Sequence, residues 1–334
     1  MNKILVIGAS GTMGKYLIPE LLGLGYSVTG VSLDEVVSEK ANVRFIKGNA
    51  LDKDFLSDIL KDGYDGIVDF MSYNMDNFAE YAEMYLNNTG HYIFLSSCRV
   101  FDDKEIPVKE TSPKLLYSSS DEALKASNDY CIIKAKQEDY LYSSRYDNWT
   151  IVRPATTFGT MRMQLVSLEF ANSVARALVN KKVVVPIQAK DKPATLCWGG
   201  DVAKMIARIM LKPEAKRENY NVCSAEYHTW GEIADYYKEL IGLETVWVDK
   251  EDYLAILDPQ KSNHVRWQLE YARMFHRISD NTKILKLTGL KQEEFMSLKD
   301  GLKLEIENIP QGYKPVANPI GDRMDEYLKI KGVY

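Results

Sequence analysis

Three glycines, Gly8, Gly11 and Gly14, follow directly on the apolar run at residues 4–7 and directly precede a helical stretch. That Gly-x-x-Gly-x-x-Gly spacing asks for a strand, a sharp turn and a helix whose first N–H groups have no partner inside the helix. The turn brings backbone close to a pyrophosphate, and the helix N-terminus aims free donors at it. A glycine-rich turn with no ligand has the same letters, but the strand–turn–helix setting points to dinucleotide binding. Gly8, Ser10, Gly11, Thr12, Met13 and Gly14 are therefore the first candidate cofactor residues. The second strand ends in Val31-Ser32-Leu33-Asp34, with no Arg or Lys close behind. An acid at that tip bonds the ribose hydroxyls, so Ser32 and Asp34 lean towards NAD and leave NADP open.

The first half of the chain repeats this alternation. Strands are predicted at Lys3–Ile7, Ser27–Ser32, Val43–Lys47, 66–70, 92–96 and 150–153, with amphipathic helices at 53–61, 78–87 and 129–143. Continuous apolar strands separated by helices predict an α/β chain with a parallel sheet covered on both faces. Further on, the pattern predicts helices over 166–178 and 202–211, a short strand at 182–186, and one more sheet strand at 219–223. Thr229-Trp230-Gly231-Glu232 has the capping-box pattern, and Asp280 is placed to start a short helix that Gly289 closes. With 334 residues and no low-complexity linker, two lobes built from interleaved segments are expected.

Tyr130 and Lys134 stand four residues apart, hence on one helix face. An ammonium there stabilises a phenolate and lowers its pKa towards a working general base. Tyr327 and Lys331 repeat the spacing, so spacing alone decides nothing. Context separates the pairs, because Tyr130 follows the strand exit Leu95-Ser96-Ser97 and Tyr327 lies in the charged tail. Ser97 is placed either to donate to a carbonyl oxygen that Tyr130 protonates or to cap a turn.

Charge and composition narrow the partners. With 42 basic and 47 acidic residues the net charge is −5, which argues against nucleic acid as the main partner. Four cysteines and four histidines are scattered without ligand spacing, so no metal site is expected. No apolar run reaches membrane-spanning length or resembles a signal peptide, and the expected location is the reducing cytoplasm.

Taken together, the glycine turn, Ser97, Tyr130-x-x-x-Lys134 and Val152-Arg153-Pro154-Ala155-Thr156-Thr157-Phe158-Gly159 resemble the extended short-chain dehydrogenase/reductase superfamily. More narrowly they resemble the NAD-dependent epimerase/dehydratase family. Ser96-Ser97-Cys98-Arg99-Val100-Phe101 is similar to that family's Ser-Ser-x-x-Val-Tyr strand exit. Gly199-Gly200-Asp201-Val202-Ala203 and Asp280-Asn281-Thr282-Lys283 match two later landmarks. The stretch Asp69-Phe70-Met71-Ser72-Tyr73 resembles a divergent branch related to chloroplast stem-loop-binding proteins, some of which bind RNA.

The resemblance implies a Rossmann-type doubly wound parallel sheet with a smaller α+β substrate lobe. Residues 1–157 with 201–224 would hold the dinucleotide, and 158–200 with 225–334 the substrate. It implies a catalytic Ser97, Tyr130 and Lys134, with Lys134 also on the nicotinamide ribose. Asn49 and Ala50 would lie at the adenine, Met71 and Ser72 behind the cofactor, and Pro154 and Ala155 near the nicotinamide. Ser97, Cys98, Thr156 and Thr157 would line the substrate, with Trp198 either there or in packing. The implied activity is NAD(P)-dependent epimerisation or oxidoreduction of a sugar, expected to be nucleotide-linked. A carbonyl or alcohol reductase without a nucleotide handle and a non-catalytic RNA-binding relative are the alternatives. A homodimer through helices 78–87 and 129–143 is also implied.

Two departures from the family matter. Sugar-nucleotide 4,6-dehydratases carry an Asp-Glu pair after the catalytic hydroxyl residue, where this chain has Cys98 and Arg99. A guanidinium stays protonated and is no base. The family's diphosphate-clamping arginine is replaced by Ala194, leaving Lys192, Arg266, Arg273 and Arg277 as substitutes or as a solvated helix face.

Overall fold

The computed structural model describes residues 1–38 and 40–333. Seven strands form one sheet: β1 (Lys3–Ile7), β2 (Ser27–Ser32), β3 (Val43–Lys47), β4 (Gly66–Asp69), β5 (Tyr92–Leu95), β6 (Trp149–Arg153) and β7 (Glu218–Asn221). Their order is β7-β6-β5-β4-β1-β2-β3, and every neighbouring pair is parallel. The chain winds outward in opposite directions from β1 and β4, which makes their boundary the switch point where such sheets bind ligands.

Alternation along β1 shows why the strands are apolar throughout. Ile4 and Val6 pack on one face with α1 (Thr12–Gly23) and α5 (Gly199–Ile209). Leu5 and Ile7 pack on the other with α2 (Lys53–Leu60), α3 (Met75–Asn87) and α4 (Tyr130–Ser143). All four side chains are fully buried, worth about 1.5–3 kcal/mol each. Gly14 lets α1 sit tightly on the turn, because a Cβ there would lie 2.5 Å from the Ala9 carbonyl oxygen. Strand β4 ends one residue sooner than 66–70 because the Asp69 carboxylate accepts the Met71 N–H at 2.9 Å and turns the chain out.

A second core gathers Phe158, Val183–Pro186, Trp230, Tyr237, Tyr253, Leu302 and Leu328. Around it lie three two-stranded pairs, of which Val183–Pro186 with Thr245–Val248 is parallel and Pro193–Ala194 with His228–Thr229 antiparallel. The Thr229–Glu232 capping box forms as read, and Gly289 closes the helix Thr282–Thr288 in the left-handed conformation. Ile284 and Leu290 cross over to pack on the first core.

The helix expected over 166–178 does not form. Only single turns at Phe170–Asn172 and Val174–Ala177 are helical, and Val166 has a φ of +53°. Leu165, Val166, Leu168, Phe170, Val174, Ala175 and Ala177 are all buried, so packing against the second core overrides the helical period. No helix among the described residues is long and apolar enough to cross a membrane.

Candidate active site

An open cleft of about 340 Å³ lies at the C-terminal ends of β1, β2 and β4. It is lined by Gly8, Ser10, Gly11, Thr12, Met13, Gly14, Ser32, Asp34, Asn49, Ala50 and Met71, all expected from sequence. Gly8 takes a φ of +80°, which lets the chain double back from β1 into α1. At Gly11 an added Cβ meets only the Gly8 carbonyl at 3.2 Å, so the missing side chain leaves backbone bare for a phosphate. The Ser32 hydroxyl sits 2.6 Å from that of Ser10 and accepts the Asp34 N–H at 2.9 Å. Those bonds fix the strand tip and leave the Asp34 carboxylate lining the cleft. Asn49 accepts the Leu51 N–H through its carbonyl at 3.0 Å, which leaves its NH₂ for an adenine edge. These features fit a dinucleotide with unphosphorylated adenosine ribose.

Sequence reading missed Arg162, the only Arg or Lys among the residues lining this cleft. It lies on the turn closed by the Gly159–Arg162 bridge, and no motif marks it. Ser72 is exposed just beyond the cleft.

Ser97 caps the short turn Cys98–Val100 and accepts the Arg99 N–H at 3.2 Å. As an acceptor there, it keeps its own proton to donate. Tyr130 is the first residue of α4, whose N-cap Asp129 accepts from Cys131. Tyr130 keeps 37% of its surface open. Lys134 is almost completely buried and donates to the Leu95 carbonyl at 2.8 Å.

One ion cluster holds this geometry. Glu138, two turns beyond Tyr130 on the same face of α4, is fully buried and receives Arg153 of β6 in a two-pronged bond, 2.7 Å at each prong. It also accepts from Lys114 at 2.8 Å and from the Ser96 hydroxyl. Burial alone would raise the Glu138 carboxyl, but Arg153 and Lys114 outweigh it and hold it below the usual range. The cluster ties α4 to the two strands whose exits carry Ser97 and Pro154.

Burial pushes the Tyr130 phenol above its ordinary value, against the opposing pull of the nearby Ser97 hydroxyl, Arg99 and Arg162. The Lys134 ammonium lies 6.0 Å from the Tyr130 ring centre and 4.6 Å from that of Phe94. Burial pushes Lys134 itself down to about 8, with Asp69 and Glu138 resisting. The cation against the phenol is Arg99, whose guanidinium carbon is 5.3 Å from the ring centre.

On the substrate side, Cys98, Ala155 and Thr156 line a small cavity together with Arg99, Ala194, Trp230, Arg273 and Arg277. Pro154 stands beside it, its carbonyl accepting the Cys98 N–H at 3.0 Å. Arg273 and Arg277 are buried, not on a solvated helix face. Arg266 is the surface residue of the three, bridging Glu251 and Glu270. Two expected substrate residues point elsewhere. Thr157 donates its hydroxyl to the Ala155 carbonyl at 3.1 Å. Trp198 donates to Glu305 at 2.6 Å and packs on Tyr16, because the half-buried indole finds an acceptor between the lobes.

Residues 4–223 match the model of the NAD dependent epimerase/dehydratase family. No curated protein matches the chain in sequence. An epimerase from Methanothermobacter thermautotrophicus is similar in structure, with a TM-score of 0.71 at 17% identity over 92% of this chain and 91% of that one. UDP-glucuronic acid 4-epimerase from Bacillus cereus, solved with UDP-glucuronic acid and NAD, gives 0.68 at 18% over 93% and 100%. UDP-glucose 4-epimerase from Thermus thermophilus, solved with NAD, gives 0.67 at 15% over 93% and 100%. At such identities the structural likeness establishes the doubly wound fold, while the family match spans most of the chain. The chain belongs to the NAD dependent epimerase/dehydratase family and is thereby an NAD-dependent enzyme of the extended short-chain dehydrogenase/reductase type.

Proposed function

We propose that the chain catalyses reversible oxidation of a sugar carbinol, as an epimerase or net oxidoreductase, with Ser97, Tyr130 and Lys134 at the reacting end. The observation that carries this reading is the convergence of the glycine cleft, the β5 exit and the first turn of α4 at one edge of one sheet. Gly8 to Gly14, Ser32, Asp34, Asn49 and Ala50 would hold NAD, with Met71 and Ser72 behind it and Lys134, Pro154 and Ala155 towards its nicotinamide end. When bound, NAD supplies a reversible hydride acceptor.

The residues divide the proton work. Ser97 donates to the substrate oxygen. Tyr130 holds its proton at rest and gives it to that oxygen in the reducing direction. In the oxidising direction it first releases its proton to solvent, which Ser97, Arg99 and Arg162 favour against burial, and the phenolate then takes the proton of the substrate hydroxyl. Cys98 and Arg99 occupy the positions where a 4,6-dehydratase needs an acid and a base, and Arg99 is neither a general acid at neutral pH nor a base. Dehydration is therefore disfavoured.

The substrate is proposed to be a sugar, nucleotide-linked as in the solved relatives that carry UDP-sugars. A second reading, a substrate with no nucleotide handle, draws on Ala194 in the place of the clamping arginine and on Arg266 being paired with carboxylates. The net charge of −5 speaks against an RNA-binding role. Residues 1–157 with 201–224 are assigned to the cofactor lobe and 158–200 with 225–334 to the substrate lobe. A homodimer through α3 and α4 and a cytoplasmic location complete the proposal.

The test is Tyr130→Phe. It should bind NAD with unchanged affinity and lose at least about a hundredfold in turnover. Full activity in that variant would refute the role given to Tyr130.

A further inference from the structure

Three guanidinium groups surround the cavity on the substrate side of Ser97. Arg99, Arg273 and Arg277 all line it, next to Cys98, Ala155 and Thr156. Arg273 and Arg277 are each only 8% exposed. Among the described residues their hydrogen-bond partners are all neutral. Arg273 donates to the Thr156 hydroxyl at 2.7 Å and the Gln164 carbonyl at 2.9 Å. Arg277 donates to the Phe101 and Tyr271 carbonyls at 2.9 and 3.0 Å. Only Arg99 has a carboxylate, Asp129 at 3.2 Å.

Each of the three also keeps a buried nitrogen with no hydrogen-bond partner: Arg99 Nε, Arg273 Nε and Arg277 Nη1. Glu169 near Arg273 and Asp103 near Arg277 offset part of the charge without hydrogen-bonding to it, and buried N–H groups without acceptors remain costly. The cations also repel one another. Burial pushes Arg273 down to about 10, and Arg99 pushes it further in the same direction. Arg277 is lowered by burial and again by Arg99. A negative group arriving from outside would offset the charge that these neutral partners leave uncompensated.

The cluster's position says which part of a ligand it meets. Cys98 directly follows Ser97, and the Arg99 guanidinium lies against the Tyr130 ring, so the cavity adjoins the reacting carbinol. Its volume of about 10 Å³ is about that of one water-sized group. One oxygen of a carboxylate or phosphoryl group enters such a space, and a whole sugar ring does not.

We propose that Arg99, Arg273 and Arg277 form a pocket for an oxyanion carried by the substrate beside the carbon that Ser97 and Tyr130 address, so that the natural substrate is an acidic sugar. The cluster stands on its own observations; calling its ligand the substrate rests on the redox reading above.

The test titrates glucose, glucuronate, glucose 6-phosphate and UDP into the 334-residue chain with and without NAD, reading heats of binding and shifts in melting temperature. One of the two acids should bind at least about tenfold tighter than glucose, the scale of charge-assisted hydrogen bonds. Preference for glucuronate assigns the oxyanion as a carboxylate, and preference for the phosphate assigns a phosphoryl group. Arg273→Met should abolish the preference, and Arg273→Lys should restore part of it. Equal binding of glucose and both acids by the unaltered chain overturns the proposal, whether or not the variants fold. So does UDP binding that matches the acids and depends equally on Arg273, because the arginines would then hold a diphosphate away from the carbinol. NAD binding in the same samples separates the two readings. A chain that binds NAD without acid preference overturns this pocket alone, and acid preference without NAD binding overturns the redox reading alone.

Discussion

Replacing Glu138 with leucine removes the carboxylate that faces Arg153, Lys114 and Ser96 in the interior. Lys114 turns to Asp139, already 3.3 Å away. Arg153 has no such exit, since its side chain is fully buried and its other partners, Asn219 and the Glu110 carbonyl, are neutral. Stranding one partner of a buried pair costs about 3–5 kcal/mol. A chain of this length gains about 0.7 kcal/mol per degree of entropy on unfolding, so the melting temperature of Glu138→Leu should drop by about 4–7 °C. The double variant Glu138→Leu/Arg153→Met removes both charges and should be at least about 2 kcal/mol more stable than Glu138→Leu, and with Arg153→Met alone it closes a cycle read from urea unfolding. A loss below about 1 kcal/mol for Glu138→Leu, or strict additivity in the cycle, would refute the claim that this pair clamps α4 to β6.

Gly14→Ala places a methyl 2.5 Å from the Ala9 carbonyl and 2.6 Å from that of Gly8. It should destabilise by at least about 1–3 kcal/mol, read from urea midpoints. His91 is fully buried, accepts the Leu211 N–H at 2.9 Å and is pushed down to about 4 by burial. Because the unfolded chain takes up that proton from about 6.5 downward, stability contributed by neutral His91 is present above 6.5 and lost as pH falls towards 4. Between pH 6.5 and about 5 the unaltered chain should lose about 2 kcal/mol more than His91→Asn, seen in paired urea melts.

Most of the sheet was legible because its strands are buried on both faces. β1, β4 and β5 read as apolar runs, while the edge strand β3 keeps Arg44 and Lys47 exposed; β4 and β5 end a residue early, where Asp69 and Ser96 turn to side-chain bonds. The cofactor cleft was legible for a related reason, since its residues sit at strand ends and in one short turn. What failed was governed by partners distant in sequence. Residues 166–178 have a helical period but are drawn into the second core from all sides. Arg273 and Arg277 resemble a charged helix face until the chain folds them under Cys98 and Thr156. The sequence placed Tyr130 and Lys134 on one helix, but not the burial that raises the phenol and lowers the ammonium. Glu138 carried no motif, although its i+4 step from Lys134 was open to inspection.

The central claim is that the cleft between Gly8 and Met71 holds NAD. Its most direct test is equilibrium binding of NAD to the purified chain and to Gly11→Ala. At Gly11 the new methyl would meet only the Gly8 carbonyl at 3.2 Å, so the variant should fold with at most about 1 kcal/mol lost at the helix cap. Binding by the unaltered chain, weakened at least about tenfold in the variant at near-constant melting temperature, is the result expected of a phosphate held against bare backbone. No binding by the unaltered chain, or equal binding by both, would contradict the account.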